Sequence, residues 1–416
     1  MAFASFAPLR HRSFALALSS SFISSTGTWM QSVALGVYLT QTTHNPEWLG
    51  LITLAAWLPA LIGSPLGGVM ADSKHRQRWI QMMNSAMALS ATGLAVAQLT
   101  GHLSPTLACC LALVEGFCGA ASWAAWQSLM PDLVEKDEVL AAVSMASAQF
   151  NLGRIIGPLL AGVALAVGSP GWCFALNAGS FLVVVVIFSY VRSAPRPAVT
   201  TKLEFFSEIR HGIREAWRVK GCRYPIIAVG TLAFIISPFI ALVPAMAIDV
   251  LRAGKVGTSW LVTAQGVGAV IGAIFLPHFA KRTSRVVILR IVAIGLVLGI
   301  AGYAVAQTLV ESVLCLVVVG LCYVGTLNGL NASVQIHAPT KARSRILSLY
   351  TLSLSIWYPF GALLQSAIAK QWGVRQITLI SAVAMAVLLA GIFLFKPNFF
   401  RAMGPAPSDT EELLAE

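Results

Sequence analysis

The stretch that decides the fold is Gln149-Phe150-Asn151-Leu152-Gly153-Arg154-Ile155-Ile156-Gly157-Pro158-Leu159-Leu160-Ala161-Gly162. It places one arginine in a run that is otherwise apolar enough to sit in lipid. Small residues recur at Gly153, Gly157 and Ala161, on one helical stripe where a second helix can approach closely. An arginine at the centre of a membrane segment costs at least about 2.5 kcal/mol, so we expect Arg154 to face a partner or a water-filled cavity.

The composition indicates that most of the chain meets lipid. Of the 416 residues, 57% are hydrophobic and only 11% are charged, whereas a soluble protein carries about 25% charged residues. The net charge of +12 would suggest a nucleic-acid partner for a soluble chain. The excess of Lys and Arg in the cytoplasmic loops of membrane proteins explains that charge without nucleic acid.

Twelve apolar runs are about 20 residues or longer, the length that crosses a bilayer as a helix. They cover 14–39, 48–70, 79–99, 106–129, 142–166, 173–191, 225–247, 258–279, 286–307, 312–336, 346–369 and 376–395, here called spans one to twelve. Of the 28 Lys and Arg residues, 23 lie on one side of these spans and four on the other. The bias predicts a multi-pass protein of a bacterial-type inner membrane, with both termini in the cytoplasm.

One long connection, 192–224, divides the spans six and six. It predicts an N-terminal six-helix bundle over 1–191, a cytoplasmic linker over 192–224, a C-terminal bundle over 225–395 and a tail over 396–416. Inside the linker, apolar residues recur every four positions from Phe205 to Trp217, with arginines beside them. This spacing is typical of an amphipathic helix at the membrane surface.

The two halves repeat. Residues 144–162 in span five align with residues 348–366 in span eleven, so that Gly157 falls on Gly361 and Arg154 on Tyr358. The loop after span two aligns with the loop after span eight at a similar offset. Two such offsets indicate duplication of a six-span unit, an arrangement that usually holds substrate near the middle of the membrane. The predicted fold class is therefore an all-α membrane protein, with twelve transmembrane helices in two pseudo-symmetric six-helix bundles.

The loop between spans two and three carries a recognisable motif, Gly68-Val69-Met70-Ala71-Asp72-Ser73-Lys74-His75-Arg76-Gln77-Arg78. It resembles the signature loop of the major facilitator superfamily, although Ser73 and His75 stand where that family commonly has arginine and glycine. The span-five stretch resembles the motif of the superfamily's drug/proton antiporters. Gly27 to Gln31, Pro131 to Val134 and Asn151 to Gly162 are similar to its secretion-effector branch, which includes the enterobactin exporter.

This resemblance implies alternating access by a protein that usually works as a monomer. It also implies a conformational latch of Gly68, Asp72 and Arg76, in which Asp72 accepts hydrogen bonds from the positive N-terminus of span eleven. The competing interpretation is that these residues only cap a short loop and fix topology. For Gly153, Gly157, Pro158 and Gly162 we expect a role in helix packing or gating.

Few ionisable residues lie deep in the spans. Glu115 is the only acid near the midplane, and the depths of Glu115 and Arg154 in consecutive spans differ by roughly 4–5 Å, which an arginine side chain can cover. We therefore predict a Glu115–Arg154 charge pair. It either couples proton and substrate fluxes or is a permanent salt bridge that stabilises the first bundle.

Aromatic and amide side chains in spans one, four, five, ten and eleven are candidates for the substrate cavity, because this mixture suits an amphipathic organic solute. They are Trp29, Gln31, Trp126, Asn151, Asn328, Asn331, Gln335, Trp357 and Tyr358. Each also has a structural interpretation, since tryptophan anchors membrane interfaces and amides often join helices.

No enzyme constellation, phosphate-binding loop or metal-spaced Cys/His cluster occurs in the sequence, so we expect neither an enzyme nor a bound cofactor. The leading hypothesis is proton-coupled export of an amphipathic small molecule, such as a drug or a secreted metabolite like a siderophore. One alternative is a proton-coupled importer or symporter of a polar solute. Another is a membrane sensor that transports nothing.

Overall fold

A computed structural model describes residues 2–71, 75–191, 205–280, 283–339, 342–396 and 398–404. Within these residues the chain forms helices and turns, without a β-strand. The α-helices are α1 Arg12–Thr43, α2 Glu47–Trp57, α3 Ala60–Ala71, α4 Arg76–Leu99, α5 Pro105–Leu129, α6 Val139–Val167, α7 Pro170–Phe188, α8 Phe205–Arg218, α9 Lys220–Ile235, α10 Phe239–Ala245, α11 Gly254–Ala280, α12 Arg285–Val305, α13 Leu309–His337, α14 Arg343–Trp372, α15 Val374–Phe395 and α16 Asn398–Arg401. Short 3-10 helices cover Ala2–Arg10, Met130–Leu133 and Lys136–Glu138, and a π-helix covers Met246–Val250.

The helices follow the predicted spans. Ten helical segments of the described chain are long and apolar enough to cross a membrane, which confirms an all-helical membrane protein. The segments for spans one and three, α1 and α4, have 32 and 24 residues and are also long enough. They are less apolar because serine, threonine and amide side chains interrupt them, and about half of α1 is buried by protein.

Two predicted spans are each formed by a pair of helices. Span two consists of α2 and α3, which are separated at Leu58 and Pro59. Span seven consists of α9 and α10, which are separated by a turn that contains Pro238. Proline lacks the N–H group that would continue the hydrogen-bond ladder, which explains the position of both breaks.

The chain forms two compact units. The first contains residues 1–203 together with 241–263, and the second contains residues 204–240 together with 264–416. Residues 241–263 group with the first unit, and the predicted division into two bundles and a linker stays a prediction. In that segment, Asp249 lies 3.3 Å from Nδ1 of His44, and Nζ of Lys255 donates a 3.0 Å hydrogen bond to the carbonyl of Gly168.

In the first unit, α1 packs against α6 and α7, α4 packs against α5 and α7, and α5 also packs against α2 and α3. A cluster of large apolar side chains fills one part of this unit, among them Phe14, Leu129 and Phe188. The consecutive helices α5 and α6 thus have different principal neighbours.

In the second unit, α9 packs against α13 and α14, while α12 packs against α13 and α15. The repeat is visible in two matching glycine contacts. A Cβ atom on Gly157 of α6 would lie 2.6 Å from the carbonyl oxygen of Thr26 in α1, and one on Gly361 of α14 would collide with the carbonyl oxygen of Phe234 in α9. Span five therefore packs on span one as span eleven packs on span seven.

The linker contains the expected amphipathic helix. It forms α8, which packs against α14 and α9. Ile213 and Trp217 remain 42% and 46% exposed, so the protein leaves these parts of its apolar face uncovered. On the charged side, Arg218 forms a 3.1 Å ion pair with Glu215.

Candidate functional site

The carboxyl group of Glu115 lies inside the first unit. Its Oε2 atom accepts a 2.5 Å hydrogen bond from Nε2 of Gln31, which α1 contributes and which is only 4% exposed. Its Oε1 atom is buried and has no hydrogen-bond partner among the described residues. The site therefore contains an acidic group with one oxygen hydrogen-bonded to Gln31 and the other buried.

The hydrogen bond from Gln31 belongs to a longer buried chain. Asn177 in α7 is completely buried and donates a 2.9 Å hydrogen bond from Nδ2 to Oε1 of Gln31. The hydroxyl of Ser180 donates to Oδ1 of Asn177 at 3.0 Å. The sequence did not single out Asn177 or Ser180, although an asparagine in an apolar run is a detectable signal.

Gly27 explains how α1 and α7 come close enough for this chain. A Cβ atom at position 27 would lie 2.5 Å from Oδ1 of Asn177 and 2.6 Å from the hydroxyl of Ser180. Both distances are too short for a carbon atom, so a side chain here would displace the two polar groups. Glycine is thus required at position 27 because α1 and α7 lie so close together there.

Arg154 lies beside a cluster of aromatic rings, which is called the aromatic wall and consists of Trp29, Trp123 and Phe150. Its guanidinium carbon lies 5.4 Å from the ring centroid of Trp29, within the range of a cation–π interaction. The ring of Phe150 lies 6.3 Å from that of Trp29 and 5.5 Å from that of Trp123. Phe150 and Trp123 are partly exposed, so this wall from α1, α5 and α6 offers a positive charge beside accessible aromatic faces.

The direct pair of Glu115 and Arg154 stays a prediction, and both side chains make contacts with α1. Glu115 is bonded to Gln31, while Arg154 lies over Trp29. Both contacts are made with α1, where Trp29 and Gln31 are two residues apart and project roughly 200° apart around the helix. The surroundings of the acid and of the arginine are therefore connected through α1.

Two other predicted cavity residues of the first unit have local roles. Trp126 is 5% exposed and packs edge-on against Phe188 in the apolar cluster, so its place in the substrate cavity stays a prediction that these contacts do not support. A tryptophan at the inner part of a span can satisfy the same pattern by filling a core. Asn151 donates a 2.8 Å hydrogen bond to the carbonyl of Ser147, one turn earlier in α6.

The predicted residues of the second unit lie on α13 and α14. Asn328, Asn331 and Gln335 share one face of α13, where Nε2 of Gln335 donates a 2.6 Å hydrogen bond to Oδ1 of Asn331. Trp357 is 48% exposed and packs edge-on against Phe234. Its neighbour Tyr358 is 9% exposed. The amide row and Trp357 are accessible polar and aromatic surfaces, whereas Tyr358 is largely buried.

A comparison with protein families identifies the chain. The model of the family described as transmembrane secretion effector matches residues 3–414. The chain belongs to that family. It is a multi-pass membrane transporter of the major facilitator type and not an enzyme.

Relatives of this secretion effector include proteins named enterobactin exporter EntS. The protein from Salmonella paratyphi A is 26% identical over 318 residues, which cover 74% of each chain. The protein from Citrobacter koseri is 24% identical over 405 residues, which cover 95% of each chain.

Solved structures resemble the secretion effector in fold. A bacterial homolog of the human lysosomal transporter Spinster has a TM-score of 0.75 at 13% identity, with 96% of this chain and 99% of that chain covered. The nucleoside transporter NupG has a TM-score of 0.71 at 14% identity, with 92% and 99% covered. The fold is therefore that of major facilitator transporters.

The signature loop of the secretion effector is described only in part. Asp72 lies outside the described residues, and a Cβ atom on Gly68 would meet open space. Arg76 is 3% exposed, and its Nη1 atom forms a 2.5 Å ion pair with Oδ2 of Asp132. Asp132 belongs to the second motif that carried the resemblance, so this ion pair joins the two motifs.

The span-five residues of the secretion effector are in close packing positions. A Cβ atom on Gly153 would lie 2.8 Å from the hydroxyl of Ser25, and one on Gly162 would lie 3.0 Å from Cβ of Ser259. Gly157 meets the backbone of α1, as described above, and Pro158 is buried within α6. These contacts agree with a packing role, while a role in gating stays a prediction.

Proposed function

We propose that this secretion effector is a proton-coupled exporter of an amphipathic small molecule. In this proposal it works as a monomer by alternating access, with twelve spans in two six-helix bundles and both termini in the cytoplasm. The observation that carries the proposal is the buried Glu115 carboxyl, one helix away from the cation and aromatic rings at Arg154.

Glu115 is assigned the proton. Its buried Oε1 has no partner among the described groups and is the atom at which a proton binds. Gln31 fixes the other oxygen and is itself held by Asn177. A carboxyl that alternates between charged and neutral forms inside a membrane protein is a common element of proton relays.

Arg154 and its aromatic neighbours are assigned the substrate. A guanidinium attracts an anionic group, while the exposed faces of Phe150 and Trp123 suit flat or aromatic parts of an organic molecule. The relatives named enterobactin exporter support a siderophore as one candidate. The amide row Asn328, Asn331 and Gln335, together with Trp357, is assigned further substrate contacts.

Coupling in this proposal passes through α1. Substrate that draws Arg154 away from the Trp29 ring moves the helix that carries Gln31, and with it the hydrogen bond to Glu115. Proton binding and substrate binding then influence each other by equal factors, as linkage requires. Export follows if the protonated carboxyl favours release of substrate on the outer side.

The proposal is tested in inside-out vesicles that contain the protein, with a panel of drugs and siderophores and with or without an acidic lumen. Accumulation that requires the acidic lumen is expected for export by proton antiport. Loss of preloaded solute down the proton gradient would favour a symporter instead. If no solute moves in response to a gradient, while the protein is correctly inserted, the transport proposal is wrong and a sensor is favoured.

A further inference from the structure

The second unit contains a narrow apolar cavity of about 250 Å³. It is bounded by α9, α12, α13 and α15, and its lining along α15 extends from Met385 to Lys396. Eleven residues of helix rise by about 16 Å, so the cavity is long and runs parallel to the helices. Its walls are mainly aliphatic, with Leu296, Leu389 and Ile392 among the lining residues.

Cationic groups gather at one end of this cavity. Lys396 lines it directly, together with Tyr224 and Phe399, whose rings stack with centroids 4.8 Å apart. The guanidinium of Arg223 lies 5.1 Å from the Tyr224 ring.

Arg290 adds a charge beside the same end. Its guanidinium lies 5.6 Å from the ring of Phe400, which lines the cavity, and 5.8 Å from that of Phe393. Its Nε atom is buried and has no hydrogen-bond partner among the described residues. A guanidinium that has aromatic contacts but an unsatisfied N–H retains the capacity to bind an anion.

The described helices that bound the cavity place no acid near these cations. Between residues 220 and 404 the sequence contains two acidic residues, Asp249 and Glu311. Asp249 belongs to the first unit. Glu311 lies in the first turn of α13 and precedes the cavity residue Leu330 by 19 positions, about 28 Å along the helix. Among the described residues, the helices that bound the cavity therefore supply no counter-charge at its positive end, and the described acid of α8, Glu215, is paired with Arg218.

We propose that this cavity binds one acidic phospholipid, with an acyl chain between the helices and the phosphate at Lys396, Arg223 and Arg290. The long aliphatic walls match a hydrocarbon chain, and the cations, which the helices bounding the cavity leave without a nearby acid, match its anionic headgroup. Basic pockets between transmembrane helices are suited to such headgroups. A neutral phospholipid would leave the cations unpaired, and a free phosphate would leave the apolar cavity unfilled.

The test uses the purified, delipidated full-length protein in detergent. Phosphatidylglycerol and phosphatidylcholine with identical chains are added at equal concentrations, and native mass spectrometry measures the bound lipids. We expect one phosphatidylglycerol to bind in preference to phosphatidylcholine. Lys396→Gln should weaken its binding about fivefold and the double variant with Arg223→Gln about 25-fold, since each cation near a membrane contributes a similar factor.

Matched variants distinguish recognition of the headgroup charge from binding of the acyl chain. Arg343→Gln removes an exposed cation of α14 that does not line the cavity and should leave lipid binding unchanged. Ala228→Phe places a ring in the cavity and should reduce the binding of both lipids. Glycerol phosphate, which has the headgroup charge without a chain, should not compete at the same concentration.

Equal binding of the two lipids, or equal effects of Lys396→Gln and Arg343→Gln, would overturn the acidic-lipid site. Full competition by glycerol phosphate would show that the anion alone is recognised and would overturn the role of the cavity. If Ala228→Phe does not fold, the charge variants and this competition still decide the question.

Discussion

At the scale of single residues, Gly27 determines how closely α1 and α7 can approach. The hydrogen bonds from Asn177 to Gln31 and from Gln31 to Glu115 depend on this approach. Since a Cβ atom would fall 2.5 Å from Oδ1 of Asn177, we expect Gly27→Ala to destabilise the protein by about 1–3 kcal/mol, as overpacking does. Thermal unfolding in detergent measures this loss.

Gly179→Ala is the matched control for this prediction. Gly179 lies in α7 beside the same polar chain, but a Cβ atom there meets nothing within 4 Å. Alanine also favours a helix more than glycine does. Gly179→Ala should therefore be neutral or slightly stabilising, and a similar loss in both variants would contradict the close-approach explanation.

The sequence identified Glu115, Gln31 and Arg154 as candidates and paired Glu115 with Arg154, but it did not indicate the hydrogen bond between Glu115 and Gln31 or the contact of Arg154 with Trp29. The prediction of their pairing compared how deep Glu115 and Arg154 lie in the membrane along consecutive spans. Depth alone does not indicate which helices pack against each other. In the structure α6 packs mainly on α1, whereas α5 packs on α2, α3 and α4. Trp126 packs in an apolar cluster, and composition does not distinguish a ring that faces a cavity from one that fills a core.

At the scale of helices, the Arg76–Asp132 ion pair connects the start of α4 to the turn after α5. Asp132→Asn removes the negative charge and leaves the buried guanidinium without this compensation. We expect a loss of about 3 kcal/mol in stability, as for other buried pairs that lose one partner. Thermal unfolding of the purified variant checks the value.

Asp137→Asn provides the comparison for Asp132→Asn. Asp137 is exposed in the same connection between α5 and α6, so the same chemical change occurs in water. It should alter stability by less than about 0.5 kcal/mol. Equal effects at the two positions would mean that the ion pair contributes nothing specific.

The amphipathic helix α8 allows a separate prediction about the membrane surface. Its exposed Ile213 and Trp217 should lie in the interface, which slows opening of the helix. In phosphatidylcholine nanodiscs, Ile213→Asn combined with Trp217→Asn should speed hydrogen exchange of residues 205–218 about tenfold. Arg214→Gln, on the charged side, should leave the exchange rate nearly unchanged; an equal increase would argue against interfacial burial.

Helix positions were largely predictable because the length of an apolar run reports a membrane-crossing helix. The breaks at Pro59 and Pro238 were not predicted, since a count of apolar residues passes over a proline that ends the hydrogen-bond ladder. The linker helix was predictable from the four-residue spacing that ends at Trp217. The grouping of 241–263 with the first unit depends on contacts such as Asp249–His44, which distance in sequence does not indicate.

At the scale of the whole molecule, the two units share equivalent glycine packing contacts between helices, but they do not share the charged residue of span five. Gly157 and Gly361 make equivalent helix contacts in the two units, whereas Arg154 aligns with Tyr358. Deep within the spans, the acid occurs in the first unit as Glu115, and the second unit offers the amide row of α13. Because of this asymmetry, we propose that proton coupling belongs to the first unit.

The most direct test compares wild type with Glu115→Gln in proteoliposomes, using a substrate found in the vesicle panel. Two rates are measured, accumulation driven by a pH gradient and exchange of labelled for unlabelled substrate without a gradient. The account predicts that Glu115→Gln loses gradient-driven accumulation and retains exchange, while Glu135→Gln, at an exposed position, retains both. Full gradient-driven accumulation by Glu115→Gln would contradict proton transport by this carboxyl.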